Sequence, residues 1–236
     1  MKELKFSKEY ITTYSFINPA GWMRPAGIGD MMQDLACVHA GNLGISDGCF
    51  WVMIRADMAF SRPIGVGERL IGTTWCQDII GPSFLRGFSF DSPAGRVAAA
   101  VTAWVMIDRE TGRILRPSVL KNYRSYVHRE LTEMRPPEKL TAFGETVCRT
   151  HRVSYSDLDF NGHLNNVKIM EIVCDALMTV PRDGQFLSEL SLNYAKQSRY
   201  DEELTLKKTE RKDSLVSAYA ADGQLRFTAA AKWKKL

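Results

Sequence analysis

The chain has 236 residues, 45% hydrophobic and 25% charged, with a formal net charge of +4. That composition excludes a disordered chain, leaves room for one large core or two small ones, and is too weakly basic to argue for nucleic acid. Charge interrupts the apolar residues from Met1 to Glu9, and the run Ala98 to Ile107 is too short to cross a bilayer. Neither a signal peptide nor a membrane span is therefore expected, and the cytoplasm is the expected compartment.

Lys8 to Phe16 reads as a strand, broken by the turn chemistry of Asn18-Pro19-Ala20-Gly21. Ile28, Met31, Met32, Leu35, Val38 and Leu43 recur at helical spacing, which predicts a helix from Ile28 to Leu43 ended by Gly44, with His39 on its polar margin. Four stretches rich in β-branched and aromatic residues follow: Phe50 to Ser61, Glu68 to Ile80, Ser83 to Asp91 and Arg96 to Asp108. After a charged connector from Arg109 to Phe143 the order repeats. A strand is predicted at Thr146 to Tyr155, a helix at Gly162 to Met178 stopped by Pro181, and strands at Phe186 to Lys196, Glu203 to Arg211, Ser214 to Ala221 and Gln224 to Lys234. Two units are therefore expected, 1–130 and 131–236. Five cysteines, at 37, 49, 76, 148 and 174, show no paired spacing, which fits reduced core thiols and no metal site.

The densest cluster of small polar and ionisable groups is Tyr155 to Asn166, which runs into the first turn of the second predicted helix and places Asn161, Gly162 and His163 there. Backbone N–H groups at a helix start can hold a developing oxyanion, and with Asp159, Asn161 and His163 beside them such a segment could combine proton acceptor, positioner and anion pocket. The ordinary reading of an Asp or Asn at this place is a helix cap or a turn. No Asp-x-Asn-x-His constellation stands at the equivalent point of the first half, where the chain reads Asn18-Pro19-Ala20-Gly21-Trp22-Met23.

One long helix on a twisted antiparallel sheet, used twice with the sheets joined edge to edge, is an α+β double hotdog. With that order, the segment from Asp159 to Lys168 (DFNGHLNNVK) resembles the D-x-N-x-H-V-N-N-V-K signature of the acyl-ACP thioesterases, bacterial and plant plastid. Gln33-Asp34-Leu35-Ala36, Trp51-Val52, Trp104 to Asp108 and Thr111-Gly112-Arg113 extend the resemblance over nearly the whole chain.

The resemblance implies hydrolysis of acyl-ACP to free fatty acid and carrier, without cofactor or metal, with Asp159, Asn161 and His163 in the catalytic set. Asp159 would accept a proton or fix a neighbour, Asn161 would orient water or carbonyl, and His163 would transfer protons, with the Gly162 N–H polarising the carbonyl. The family places Glu-Cys further on, where this chain has Gln197-Ser198; Gln197 can hold a water but supplies no base. Met23, Met31, Met32 and Trp51 are candidate walls of the acyl pocket, although such residues are ordinarily core. Acyl carrier protein is acidic, so basic residues such as Arg113 and Arg116, with Arg211 and Lys212 further on, are candidate contacts. A homodimer stays open, as do an acyl-CoA thioesterase and a non-catalytic acyl-binding hotdog.

Overall fold

In the computed structural model, which describes residues 4–45, 49–129, 134–141, 146–177, 184–209 and 214–236, the two halves carry the same elements in the same order. The first contains β1 (Lys5–Ile11), α1 (Pro25–Leu43), β2 (Cys49–Phe60), β3 (Arg69–Ile80), β4 (Ser83–Ser92) and β5 (Gly95–Asp108). A short β6 (Ile114–Leu115) pairs with β5. The second contains β7 (Thr146–Arg152), α2 (Asn166–Leu177), β8 (Gln185–Tyr194), β9 (Glu203–Thr209), β10 (Ser214–Ala220) and β11 (Leu225–Lys235).

All strands form one sheet in the order β1-β3-β4-β5-β2-β8-β11-β10-β9-β7. The halves join where β2 runs antiparallel to β8, from Arg55 opposite Asn193 to Ala59 opposite Glu189. Each half thereby satisfies the backbone edge that the other would leave open. This is the double hotdog, with both helices packed into one core that includes Leu35, Met58 and Phe90 from the first half and Met170, Leu192 and Phe227 from the second. The helices meet closely at Gly29, where an added Cβ would lie 2.6 Å from Met170 Sδ.

Several predicted boundaries shift for local reasons. β1 ends at Ile11 and β7 at Arg152, and each is followed by a single 3-10 turn, Tyr14–Phe16 and Tyr155–Asp157. α1 begins at Pro25, whose missing N–H is harmless in a first turn, and ends at Gly44 with φ 67°. α2 begins at Asn166, not Gly162. Asn165 supplies the cap, its Oδ1 accepting the Val167 N–H at 2.8 Å, so Asn161, Gly162 and His163 belong to the preceding loop.

His39 is fully buried, not marginal, with Nδ1 2.9 Å from an Arg86 Nη1 that is itself buried. Burial pushes the Arg86 guanidinium down to about 10. All five cysteines are free, and Cys37 is exposed, outside the core expected for it. Pro181, Met178, Arg211 and Lys212 lie outside the described residues.

Candidate active site

The loop between β7 and α2 is closed by Asp159. Its Oδ1 accepts the Asn161 N–H at 2.8 Å and the His163 N–H at 3.1 Å, while its own N–H donates to the His163 carbonyl at 2.8 Å. Gly162, at φ 73°, donates its N–H to the Asp159 carbonyl at 3.0 Å, completing a tight turn with Phe160 and Asn161 at its tip. The Gly162 amide, the expected oxyanion donor, is thus engaged within the turn. The Leu164 N–H reaches the Ser198 carbonyl at 2.8 Å, and a β-bridge joins His163 to Arg199, so the segment carrying Gln197 lies alongside the His163 strand of the loop. On the outer side, His151 Nε2 lies 3.0 Å from Asp157 Oδ2, which also accepts the Ser154 N–H.

The same loop is built in the first half. Asn18 Oδ1 accepts the Ala20 N–H at 2.9 Å and the Trp22 N–H at 3.1 Å, the Asn18 N–H donates to the Trp22 carbonyl, and Gly21 at φ 81° donates to the Asn18 carbonyl. The Met23 N–H reaches the Ile64 carbonyl as that of Leu164 reaches Ser198. Asp159, Asn161 and His163 therefore stand where Asn18, Ala20 and Trp22 stand. The shared Tyr-Ser-x-x-Asn/Asp-x-x-Gly spacing, Tyr14 to Gly21 and Tyr155 to Gly162, was the sequence signal for this repetition.

A cleft open to solvent lies beside the first loop, lined among others by Asn18, Trp22, Pro63, Leu187 and Trp233. The repeat maps these onto Asp159, His163, Gln197, Met53 and Trp104. The strand registers agree, since Met53 opposes Trp104 as Leu187 opposes Trp233. Met53 and Trp104 also line a second, narrower cleft between α1 and α2, with Gly29, Met32, Gln33 and Met170. Gln33 ties this cleft to the loop, its Nε2 donating to Asn165 Oδ1 at 3.2 Å. In the sequence Gln33 and Asn165 stand out only as members of wider motifs.

The candidate wall residues separate. Met32 lines the inter-helix cleft, Met23 lines the cleft of the first loop, and Met31 is buried in the core. Trp51 donates its Nε1–H to the Ile45 carbonyl at 3.0 Å and meets Phe84 edge-on. Gln197 is exposed, whereas Ser198 is only 3% exposed, which removes it as a presented nucleophile. Arg113 and Arg116 are exposed on either side of β6. Among the described residues no cluster of three or more His, Cys, Asp or Glu is placed to hold a metal, and no helix is long and apolar enough to cross a membrane.

Fold and loop together define a hotdog protein of the tandem kind, with Asp159, Asn161 and His163 in the second repeat where Asn18, Ala20 and Trp22 stand in the first. Sequence models of the acyl-ACP thioesterase N-terminal and C-terminal domains match residues 3–126 and 141–235, and the chain belongs to the acyl-ACP thioesterase family. An oleoyl-acyl carrier protein thioesterase of Arabidopsis thaliana is 24% identical over 200 residues, 74% of this chain and 55% of that protein. The chain thus spans about half the length of the curated relatives it matches. Among solved structures, an acyl-ACP thioesterase from Bacteroides thetaiotaomicron superposes with a TM-score of 0.88 at 18% identity over 98% of both chains. A 12:0-ACP thioesterase from Umbellularia californica gives 0.82 at 16% identity, over 99% of this chain and 98% of that one. At such identities the structures establish the fold.

Proposed function

We propose that the chain hydrolyses acyl thioesters of acyl carrier protein, releasing a free fatty acid and the carrier thiol, with its chemistry in the second-repeat loop. One observation carries this reading. The two loops have the same backbone and the same hydrogen bonds, yet only the second bears Asp159, Asn161 and His163. The scaffold does not require those side chains, since Asn18, Ala20 and Trp22 serve it as well.

In this mechanism Gln197 holds a water and His163 takes its proton as the oxygen attacks the thioester carbonyl carbon. The carbonyl oxygen becomes an oxyanion, held by the Asn161 carboxamide, because the Gly162 N–H is engaged by the Asp159 carbonyl. The carbon–sulfur bond then breaks, and the proton on His163 passes to the departing thiolate. Asp159 acts as the positioning residue, fixing the two backbone N–H groups on either side of the turn. The acyl chain enters the inter-helix cleft past Met53 and Trp104, and Arg113 and Arg116 face an acidic carrier. Working as a homodimer remains compatible with this scheme.

Release of thiol from a panel of acyl-ACPs and acyl-CoAs of graded chain length is the test. Turnover of acyl-ACP that disappears in His163→Ala is the expected result. Faster hydrolysis of acyl-CoA would change the carrier, and binding without hydrolysis of either would favour the acyl-binding alternative, for which the amide of Gln197 in place of a carboxylate is the one specific argument.

A further inference from the structure

The first-repeat cleft occupies the position that the active site occupies in the second. Its walls keep the apolar character expected of an acyl site: Trp22, Met23, Phe60, Phe186 and Trp233 all face it. Its chemistry is gone, since Ala20, Trp22 and Pro63 replace Asn161, His163 and Gln197, and none of the three can donate to an oxyanion from a carboxamide, move a proton or hold a water through an amide. Two cations remain on the wall, Arg24 and Arg62. Arg24 donates Nη1 to Glu171 Oε1 at 3.0 Å and Nη2 to the Ser15 carbonyl, while its Nε–H is buried without a partner. Arg62 lies 2.7 Å from Glu68. A buried guanidinium N–H left without an acceptor is costly, and a ligand oxygen is one way to satisfy it.

We propose that this cleft is a second acyl site, binding a free fatty carboxylate without turning it over, with the apolar chain among Trp22, Phe186 and Trp233 and the head group at Arg24. The choice of a fatty carboxylate rests on the hydrolase reading above, since that is the product released. The site is wired to the catalytic repeat, because the Arg24 guanidinium that meets the head group also holds Glu171 of α2, the helix whose start adjoins the active loop. Product accumulating at the first repeat would therefore act on the second.

The test uses the full chain and a dodecanoate brominated at its terminal carbon, which quenches only nearby tryptophans. In Trp51→Phe/Trp104→Phe, whose altered positions lie outside this cleft, quenching should persist; in Trp22→Phe/Trp233→Phe only the share that Trp104 carries beside the catalytic loop should remain. The reverse pattern, quenching carried by Trp51 and Trp104 alone, overturns the proposal. If either double variant fails to fold, calorimetry on Arg24→Gln supplies the second measurement. Dodecanoate should bind at least about tenfold more weakly and methyl dodecanoate about as before, the scale of one lost charge-assisted contact. Unchanged dodecanoate affinity overturns the proposal. Dodecanoate quenching at Trp22 and Trp233 in a chain that hydrolyses no thioester would defeat the hydrolase reading and leave this site standing, whereas hydrolysis with quenching confined to Trp51 and Trp104 would do the opposite.

Discussion

Asn18 and Asp159 occupy the same position of the same loop, one in each repeat, and each accepts two backbone N–H groups through Oδ1. A neutral amide oxygen therefore suffices for the geometry. Asp159→Asn should keep turnover within about tenfold, whereas Asp159→Ala, which removes the acceptor, should lower it by about a hundredfold or more, the scale of a misplaced catalytic group. Steady-state kinetics on both variants decide the matter. Equal losses would mean that the carboxylate charge takes part in the chemistry.

His163 and Asn161 have no such stand-ins in the first loop. His163→Ala and Asn161→Ala are each expected to reduce kcat/KM at least about a hundredfold, with circular dichroism unchanged, because the loop bonds run through their backbones and not their side chains. Full activity in either variant would place the chemistry elsewhere.

Gln197 is assigned to holding water and His163 to accepting its proton. Gln197→Glu should then change the rate by less than about tenfold, since a carboxylate of equal length holds water equally well. A larger gain, in the range of about 10² to 10⁴ that a general base supplies, would show that the natural chain lacks its base and that His163 has another role.

Carrier docking through exposed arginines predicts a dependence on both salt and carrier. Arg113→Glu with Arg116→Glu should raise KM for acyl-ACP severalfold and leave that for acyl-CoA much less changed, and added salt should narrow the difference because exposed charges are screened beyond about 8 Å at physiological ionic strength. An equal effect on both substrates removes these residues from docking.

Glu68 offers a stability test of the first repeat. Arg62 holds its carboxyl below the usual carboxylate range despite partial burial, with the Gly65 N–H adding to the effect. A depressed folded-state value stabilises above the unfolded value, and that contribution is lost as pH falls through the folded one. Glu68→Gln should therefore lower stability to urea at about pH 7, by no more than about 1 kcal/mol for so accessible a pair, and lose its effect in strong acid, where the native carboxyl is already protonated. A difference independent of pH would show that packing, not charge, holds the turn.

The sequence by itself determined the repeated order of strand, helix and four strands, because hydrophobic period and turn residues are local properties of the chain. It also marked Asp159, Asn161 and His163 as a group, since they fall within five positions. The tertiary structure decided the rest. Whether α2 begins at Gly162 or Asn166 depended on which of several capping residues closed the helix, and Asn165 prevailed because Asp159 was already occupied by the turn. Met23 and Met32 look alike in sequence, yet they line different clefts, because the partner of a buried face is set by how β2 meets β8 and how α1 crosses α2. Period fixes which side of an element is buried; only the pairing of distant elements fixes what that side touches, and so which of two matching clefts a given side chain lines.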